Sequence, residues 1–217
     1  MAKKNKGLSV FVALDRSGSM QGERWTTAIT SLNEYVKNLQ KEKIEGSVSI
    51  TAFDTFHSVS GPTVRLEDVV TDQSIAYFEP LDSNTLQPSG GTPLYDAAAA
   101  IMDRAIERNS ERTVIVILTD GEENSSKEYT QAKIKSKVKT LQDKSWEVIF
   151  LGANFDVAGY TLQSGLASTK MRNVNMMDAQ AVNLMYTDLS TNTIAYARTG
   201  AAMDMSGAST IKVNVKV

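Results

Sequence analysis

The strongest constraint on the fold is an apolar run near the start of the chain that stops at an aspartate. Residues 8–14 are apolar at all positions but one, and Asp15, Ser17 and Ser19 follow at alternate positions. A short, continuous apolar run bounded by turn residues is typical of a strand that is buried on both faces, as in a parallel sheet. The polar loop then lies at the carboxyl end of this strand, which is where open α/β sheets bind their ligands.

The three side chains of this loop are all short and all carry oxygen. One carboxylate and two hydroxyls that converge on one point form a hard-oxygen set, which suits Mg²⁺ or Mn²⁺ better than zinc. The alternative is an ordinary strand-to-helix turn, in which a serine caps the helix and Gly18 allows the tight geometry. The loop by itself leaves both interpretations open.

Two later stretches favour the metal site. Residues 90–97 place the hydroxyl of Thr92 in a tight, glycine-containing loop before an alanine-rich helix. A second apolar run, 113–118, ends directly before Thr119 and Asp120. Together with the first loop, these stretches resemble the von Willebrand factor type A (VWA) family. The metal-ion-dependent adhesion site of that family uses the pattern D-x-S-x-S, a distant threonine and a distant aspartate.

The resemblance implies a complete metal site and a function in recognition. The five family positions are matched, in family order, by Asp15, Ser17, Ser19, Thr92 and Asp120. The resemblance extends from about residue 8 to about residue 167, and the LGAN sequence at 151–154 is similar to intracellular members of bacterial or phage-like type. In the family, a glutamate or aspartate of the ligand protein completes the metal shell. The resemblance therefore implies a Mg²⁺- or Mn²⁺-dependent protein–protein interaction module.

The remainder of the chain alternates between predicted helices and strands. Helices are predicted at 23–43, 94–109, 127–144, 156–165 and 178–198, with a helical turn at 72–81, and further strands at 47–53, 61–66, 146–151 and 170–175. This alternation predicts an α/β fold with a doubly wound, mostly parallel sheet and helices on both faces. The family resemblance implies the strand order 3-2-1-4-5-6, and the segment 61–66 is expected to be a short, antiparallel edge strand.

Composition excludes several classes of function. The net charge of −2 gives no general drive towards nucleic acid or an anionic membrane, and no apolar run is long enough to span a bilayer. The chain contains no cysteine, which excludes a disulfide framework and a thiolate zinc site. The absence of cysteine, and of a small-residue cleavage site after the first apolar run, favours a cytoplasmic protein.

The length of 217 residues predicts one domain. We expect a single VWA domain at residues 1–198, followed by a flexible linker and a strand-like tail at 199–217. The tail alternates apolar and polar residues, with Ile211, Val213, Val215 and Val217 on one side. Such a segment can pair with an exposed sheet edge of its own or another chain.

The motifs of common enzymes are incomplete in this sequence. It has no Walker A loop and no Gly-x-Gly-x-x-Gly after the first strand, and Ser17 stands where a haloacid-dehalogenase-like phosphatase needs its second aspartate. The single histidine, His57, is expected in a solvated loop. We therefore expect a protein that is not an enzyme, with a Mg-dependent hydrolase as the least favoured alternative. A stronger alternative is a structural or assembly component, viral or phage components included, in which the metal only rigidifies the loops.

Three charged features allow two interpretations each. Arg16 either donates to the partner's carboxylate or is a solvated loop residue. Asp54 follows the strand at 47–53 and is either a turn residue, which is favoured, or a residue near the metal. The segment 127–144 contains six lysines. They predict a solvated face rather than a partner surface, because the overall charge of the chain is slightly negative.

Overall fold

A computed structural model of the chain describes residues 5–120, 123–152 and 166–206. Within these residues, strands and α-helices alternate as the sequence pattern predicts. The elements are β1 Asn5–Asp15, α1 Glu23–Lys41, β2 Gly46–Ser58, β3 Gly61–Ser74, α2 Leu94–Arg108, β4 Ser110–Thr119, α3 Gln131–Gln142, β5 Glu147–Gly152, β6 Met171–Asn173 and α4 Ala179–Thr199. None of these helices is both long enough and apolar enough to cross a membrane.

The strands form one sheet in the order β3-β2-β1-β4-β5-β6. All neighbouring strands are parallel except β3, which runs antiparallel to β2. This arrangement confirms the predicted fold class and strand order. The antiparallel edge strand has 14 residues, however, and is not the short strand expected at 61–66. The chain continues from β3 directly into a single 3-10 turn, Ile75–Tyr77, where a helical turn was expected at 72–81.

The central strands of the sheet are buried on both faces. In β1, the even-numbered apolar residues from Leu8 to Leu14 belong to a core that includes residues of α1 and α4. Phe11 and Ala13 belong to a second core, which includes residues of α2 and α3. A strand that is covered on both sides has no polar face, and this explains why the first apolar run is continuous rather than alternating.

Helix α4 is regular in spite of the serine, threonine and asparagine residues in its middle. The side chain of Asp178 caps its first turn by accepting hydrogen bonds from the backbone N–H groups of Gln180 and Ala181. The hydroxyl of Ser190 donates to the carbonyl of Tyr186 at 2.8 Å. Polar groups that compete with helix formation in isolation are therefore satisfied within the helix.

The packed part of the chain extends past Arg198, where we expected the domain to end. Met203 and Met205 are buried in the core beside α1. The ammonium of Lys170, directly before β6, donates to the carbonyl of Met203 at 2.6 Å. Residues 207–217 and the helix predicted at 156–165 lie outside the described residues, as does the second half of the LGAN sequence. The strand-like tail stays a prediction.

Candidate metal site

Asp15 is the last residue of β1, and its carboxylate is fully buried. One carboxylate oxygen accepts a hydrogen bond from the backbone N–H of Ser17 at 2.8 Å, and the other accepts from the hydroxyl of Thr119 at 2.6 Å. Burial raises the pKa of Asp15 to about 6 although both hydrogen bonds oppose the increase. Within the described residues, neither donor to this carboxylate is a cation, so a bound divalent ion would supply positive charge that the buried group otherwise lacks.

Two serine hydroxyls connect the end of β1 to the loop that follows β4. The hydroxyl oxygens of Ser17 and Ser19 lie 3.0 Å apart, and Ser19 donates to a carboxylate oxygen of Asp120 at 2.6 Å. Ser17 is buried and Ser19 is exposed. The cluster of oxygen atoms therefore begins inside the protein at Asp15 and reaches solvent at Ser19.

Backbone hydrogen bonds hold the loop before α2 against the first loop. The N–H of Ser89 donates to the carbonyl of Arg16 at 2.9 Å, and the N–H of Gly18 donates to the carbonyl of Gly90 at 3.0 Å. Gly90 has a φ angle of +68°, and a Cβ atom there would lie 1.8 Å from the carbonyl oxygen of Thr55. Only glycine permits this approach, since any side chain would collide with the backbone of β2.

Thr92 is buried in this loop and is held by the loop after β4. Its backbone N–H donates to the side-chain oxygen of Asn124 at 2.9 Å, and its carbonyl accepts from the N–H of Asn124 at 3.2 Å. Glu123 accepts from the N–H of Tyr95 at 2.9 Å. That N–H belongs to the first turn of α2 and has no intrahelical partner. The loops that carry Thr92 and Asp120 thus form one hydrogen-bonded unit with the start of α2.

Asp120 is paired with a cation that the sequence did not reveal. Arg24, in the first turn of α1, donates to one carboxylate oxygen of Asp120 at 3.0 Å and to the carbonyl of Ser19 at 2.9 Å. The other carboxylate oxygen of Asp120 accepts from the hydroxyl of Ser19. The two carboxylates therefore differ: Asp120 has a charged partner, whereas Asp15 receives hydrogen bonds from neutral donors.

Both interpretations of Arg16 are wrong, because its side chain is buried away from solvent. It donates to Asp54 at 3.2 Å and to Glu67 at 2.7 Å. The favoured interpretation of Asp54 as a turn residue is also wrong. Asp54 is fully buried within β2, which continues to Ser58, and it also accepts two hydrogen bonds from Arg65. His57 is exposed, as expected, but it lies in this longer strand rather than in a loop.

The lysines of the third helix do not all extend into solvent. Helix α3 is shorter than the segment 127–144. The ammonium of Lys137 pairs with Asp103 of α2 and lies 5.4 Å from the centre of the Tyr129 ring. Lys137 is therefore part of the contact between α3 and α2, whereas Lys139 is exposed.

The donor set fits a hard divalent ion. Among the described residues, no group of three or more histidine, cysteine, aspartate or glutamate side chains could hold a metal. The five residues predicted from the sequence instead offer two carboxylates and three hydroxyls, of which the hydroxyls of Ser17 and Ser19 are hydrogen-bonded to each other and Ser19 to Asp120. Mg²⁺ and Mn²⁺ accept such neutral oxygen ligands and usually retain bound water in sites with few carboxylates. The resident residues are compatible with either ion.

Residues 9–190 match the family described as the von Willebrand factor type A domain. The chain belongs to the VWA family. No curated protein matches the sequence of this VWA chain at a significant level.

Solved structures share the VWA fold at low sequence identity. The pilus adhesin SpaC from Lactobacillus rhamnosus GG, in its open conformation, has 13% identity and a TM-score of 0.63 over 90% of this chain and 31% of its own. A von Willebrand factor type A protein from Catenulispora acidiphila has 16% identity and a TM-score of 0.58 over 88% of this chain and 43% of its own. Manganese-loaded TRAP from Plasmodium vivax has 14% identity and a TM-score of 0.54 over 81% of this chain and 71% of its own. The chain thus spans less than half the length of SpaC and of the Catenulispora protein.

Removal of divalent ions should leave this VWA fold intact. The site loops are joined by backbone hydrogen bonds and lie on a sheet that is buried on both faces, whereas a zinc finger unfolds without its metal. We expect the far-UV circular dichroism spectrum in EDTA to match the spectrum in Mn²⁺. The ion should add about 2.7 kcal/mol to the free energy of unfolding at a concentration 100 times its Kd. Loss of the helical signal in EDTA would show instead that the ion holds the fold together.

Proposed function

We propose that this VWA domain is a divalent-metal-dependent module for protein–protein interaction. Mg²⁺ or Mn²⁺ would be held by Asp15, Ser17, Ser19, Thr92 and Asp120, and a glutamate or aspartate of the partner protein would complete the shell. The observation that carries the proposal is the buried Asp15 carboxylate. Its donors among the described residues are neutral, and it lies at the start of a chain of oxygen atoms that opens to solvent.

The chemistry of the donor set favours recognition of a carboxylate. A hard divalent ion of this kind takes six oxygen ligands. Two carboxylates, one of them already paired with Arg24, leave much of the charge of the ion uncompensated. A carboxylate from a partner is the ligand that best meets this charge, so the bound ion would make a shallow surface selective for acidic side chains.

The related structures are consistent with this function. SpaC is a pilus adhesin, and the TRAP structure is loaded with manganese. We infer a binding role rather than catalysis, because His57 is exposed in β2 and the hydroxyl of Ser17 is hydrogen-bonded to that of Ser19. The cytoplasmic location and the absence of a nucleic-acid or membrane partner stay predictions from composition.

The alternative is a structural or assembly component whose metal only rigidifies the loops. The backbone hydrogen bonds between the loops favour the interaction module, because they connect the loops to each other directly. The two functions differ in the effect of EDTA. In EDTA, a recognition site should lose its partner while the domain stays folded. A structural site should lose the order of its loops together with the partner.

Thr92→Ala should weaken binding of the partner by about 10–100-fold, the usual cost of removing a ligand or an adjacent group at a metal site. The variant removes the hydroxyl that this proposal assigns to the ion and leaves the backbone hydrogen bonds to Asn124 in place. The partner is first captured on the immobilised protein from the native host in Mg²⁺ and released with EDTA. Surface plasmon resonance of the released partner then measures its affinity for each variant.

Lys139→Ala is the matched control for this experiment. It removes one exposed side chain from α3, and it is a better control than Lys137, which packs against α2. We expect wild-type affinity for the control in Mg²⁺ and no binding by any variant in EDTA. Normal binding by Thr92→Ala together with loss of binding by Lys139→Ala would place the interface on the lysine-bearing helix and overturn the proposal.

A further inference from the structure

The hairpin of β2 and β3 extends past the end of β1. Pairing between β1 and β2 ends with Asp15 opposite Phe53. The two strands of the hairpin remain paired for five more positions, from Asp54 opposite Arg65 to Ser58 opposite Gly61. We call residues 54–65 the ribbon. Because the carboxyl end of β1 carries the candidate metal site, the ribbon stands beside that site.

The base of the ribbon is fixed to the loop that carries Thr92. The hydroxyl of Thr55 accepts a hydrogen bond from the N–H of Gly91 at 2.7 Å. The carbonyl of Thr55 lies against Gly90, where a Cβ atom would not fit. On the other strand of the ribbon, the carbonyl of Pro62 accepts from the ammonium of Lys127. The ribbon therefore has a defined position relative to the site.

The outer part of the ribbon exposes apolar side chains. Phe56 is 42% exposed, and Val59, in the two-residue turn, is fully exposed. Glycine, asparagine, aspartate and serine dominate such turns for conformational reasons, and valine brings none of these advantages. The guanidinium of Arg65 lies 5.8 Å from the centre of the Phe56 ring. The ribbon thus offers apolar surface beside a cation.

We propose that the ribbon is a second contact surface of the metal-dependent site. It takes a partner segment in which a large aliphatic or aromatic side chain lies a few residues from the carboxylate that reaches the ion. This inference rests on the proposed function and adds the sequence preference of the partner. The apolar side chain would pack on Phe56 and Val59 while the acidic side chain occupies the site.

Charge favours an acidic segment of a partner protein over the tail of this chain as the occupant of the ribbon. Within the ribbon, the single aspartate, Asp54, is buried whereas Arg65 is partly exposed, and the exposed Lys127 contacts the ribbon at Pro62. The tail of this chain carries Lys212 and Lys216 beside its valines, and like charges would oppose its docking here. The last described residues of the chain also lie near β6, at the opposite edge of the sheet from the ribbon.

Short fluorescent peptides test the inference. One set carries a single aspartate in a glycine–serine background, and a matched set adds one leucine or phenylalanine at each neighbouring position in turn. In Mn²⁺, the best apolar peptide should bind the wild-type protein at least about tenfold more tightly than the peptide with aspartate alone, as burial of one such side chain predicts. Fluorescence polarisation measures the affinities.

The double variant Phe56→Ser/Val59→Ser should lose this gain. It should still bind Mn²⁺ in isothermal titration as the wild type does. It should also bind the aspartate-only peptide with wild-type affinity. Tyr77→Ser is the matched control, because Tyr77 is 77% exposed but lies after β3, at the other end of the hairpin. We expect this control to retain the gain.

Each other outcome overturns a separate statement. A gain that persists in the double variant, or no gain in a wild-type protein that binds the aspartate-only peptide, overturns the role of the ribbon. Absence of Mn²⁺ binding overturns the proposed function itself. Self-association of the wild type that the double variant abolishes would assign the ribbon to a second copy of the chain. Tighter peptide binding after truncation at Ser206 would show that the tail, residues 207–217, occupies the ribbon.

Discussion

Asp15→Ala should abolish the binding of one divalent ion per chain, with a loss of Mn²⁺ affinity of at least about 100-fold, the upper end of the losses typical of metal-site changes. The carboxylate of Asp15 is buried and has only neutral donors among the described residues, so its removal takes away the negative charge that most needs a cation. Isothermal titration of metal-stripped protein with Mn²⁺ and with Mg²⁺ measures the effect. We expect weaker binding of Ca²⁺ by the wild type, because most of the ligands are neutral.

Two further variants separate loss of the site from loss of the fold. Asp15→Asn keeps the shape of the side chain. Its amide oxygen can accept from the backbone N–H of Ser17, and its NH2 group can donate to the hydroxyl of Thr119 in place of the original bond, so the variant should fold normally and still lose the ion. Asp103→Ala removes one carboxylate from α2, where Asp103 pairs with Lys137, and should bind the ion as the wild type does. Equal Mn²⁺ affinity for Asp15→Ala and the wild type would falsify the assignment of the site.

Asp54→Asn should lower the free energy of unfolding by about 3 kcal/mol, near the lower end of the range for breaking a buried ion pair. Asp54 is fully buried, and it accepts hydrogen bonds from Arg16 and Arg65. The variant keeps the shape of the side chain but leaves the buried guanidinium of Arg16 with Glu67 as its remaining anionic partner. Urea denaturation followed by circular dichroism gives the change in stability.

An exposed ion pair provides the comparison for this variant. Glu42 and Arg198 are 2.7 Å apart, but their side chains are 49% and 52% exposed. Solvent screens such a pair, so Glu42→Gln should change the free energy of unfolding by less than about 1 kcal/mol. Equal effects of Asp54→Asn and Glu42→Gln would show that the buried pair does not stabilise the end of β2.

Arg16 illustrates where prediction from the sequence stopped. Its neighbours in the sequence are loop residues of the candidate site, and a contact with the partner's carboxylate and a solvated position were both reasonable expectations. Its actual partners, Asp54 and Glu67, are 38 and 51 residues away in the sequence. Arg24 and Asp120 are likewise 96 residues apart. No local pattern encodes such pairs, because they depend on how β2, β3 and α1 are placed around the end of β1.

Thr119 is an intermediate case, because the register of two strands predicts its role. Leu14 lies opposite Leu118 in the sheet, so the next residues, Asp15 and Thr119, are brought side by side. Once β1 and β4 are taken as parallel neighbours that end together, a hydrogen bond between these two side chains is expected. The family resemblance supplied that pairing, and the apolar runs alone did not.

The sequence by itself determined the class of fold and the residues that gather at one edge of the sheet. Continuous apolar runs require strands that are buried on both faces, and polar residues directly after such strands must emerge at their carboxyl ends. Only the tertiary structure decided which charges are compensated, how far the β2–β3 hairpin extends, and which surface lies beside the site. These properties depend on contacts between residues far apart in the sequence, where the free energy of burial and pairing outweighs any local preference.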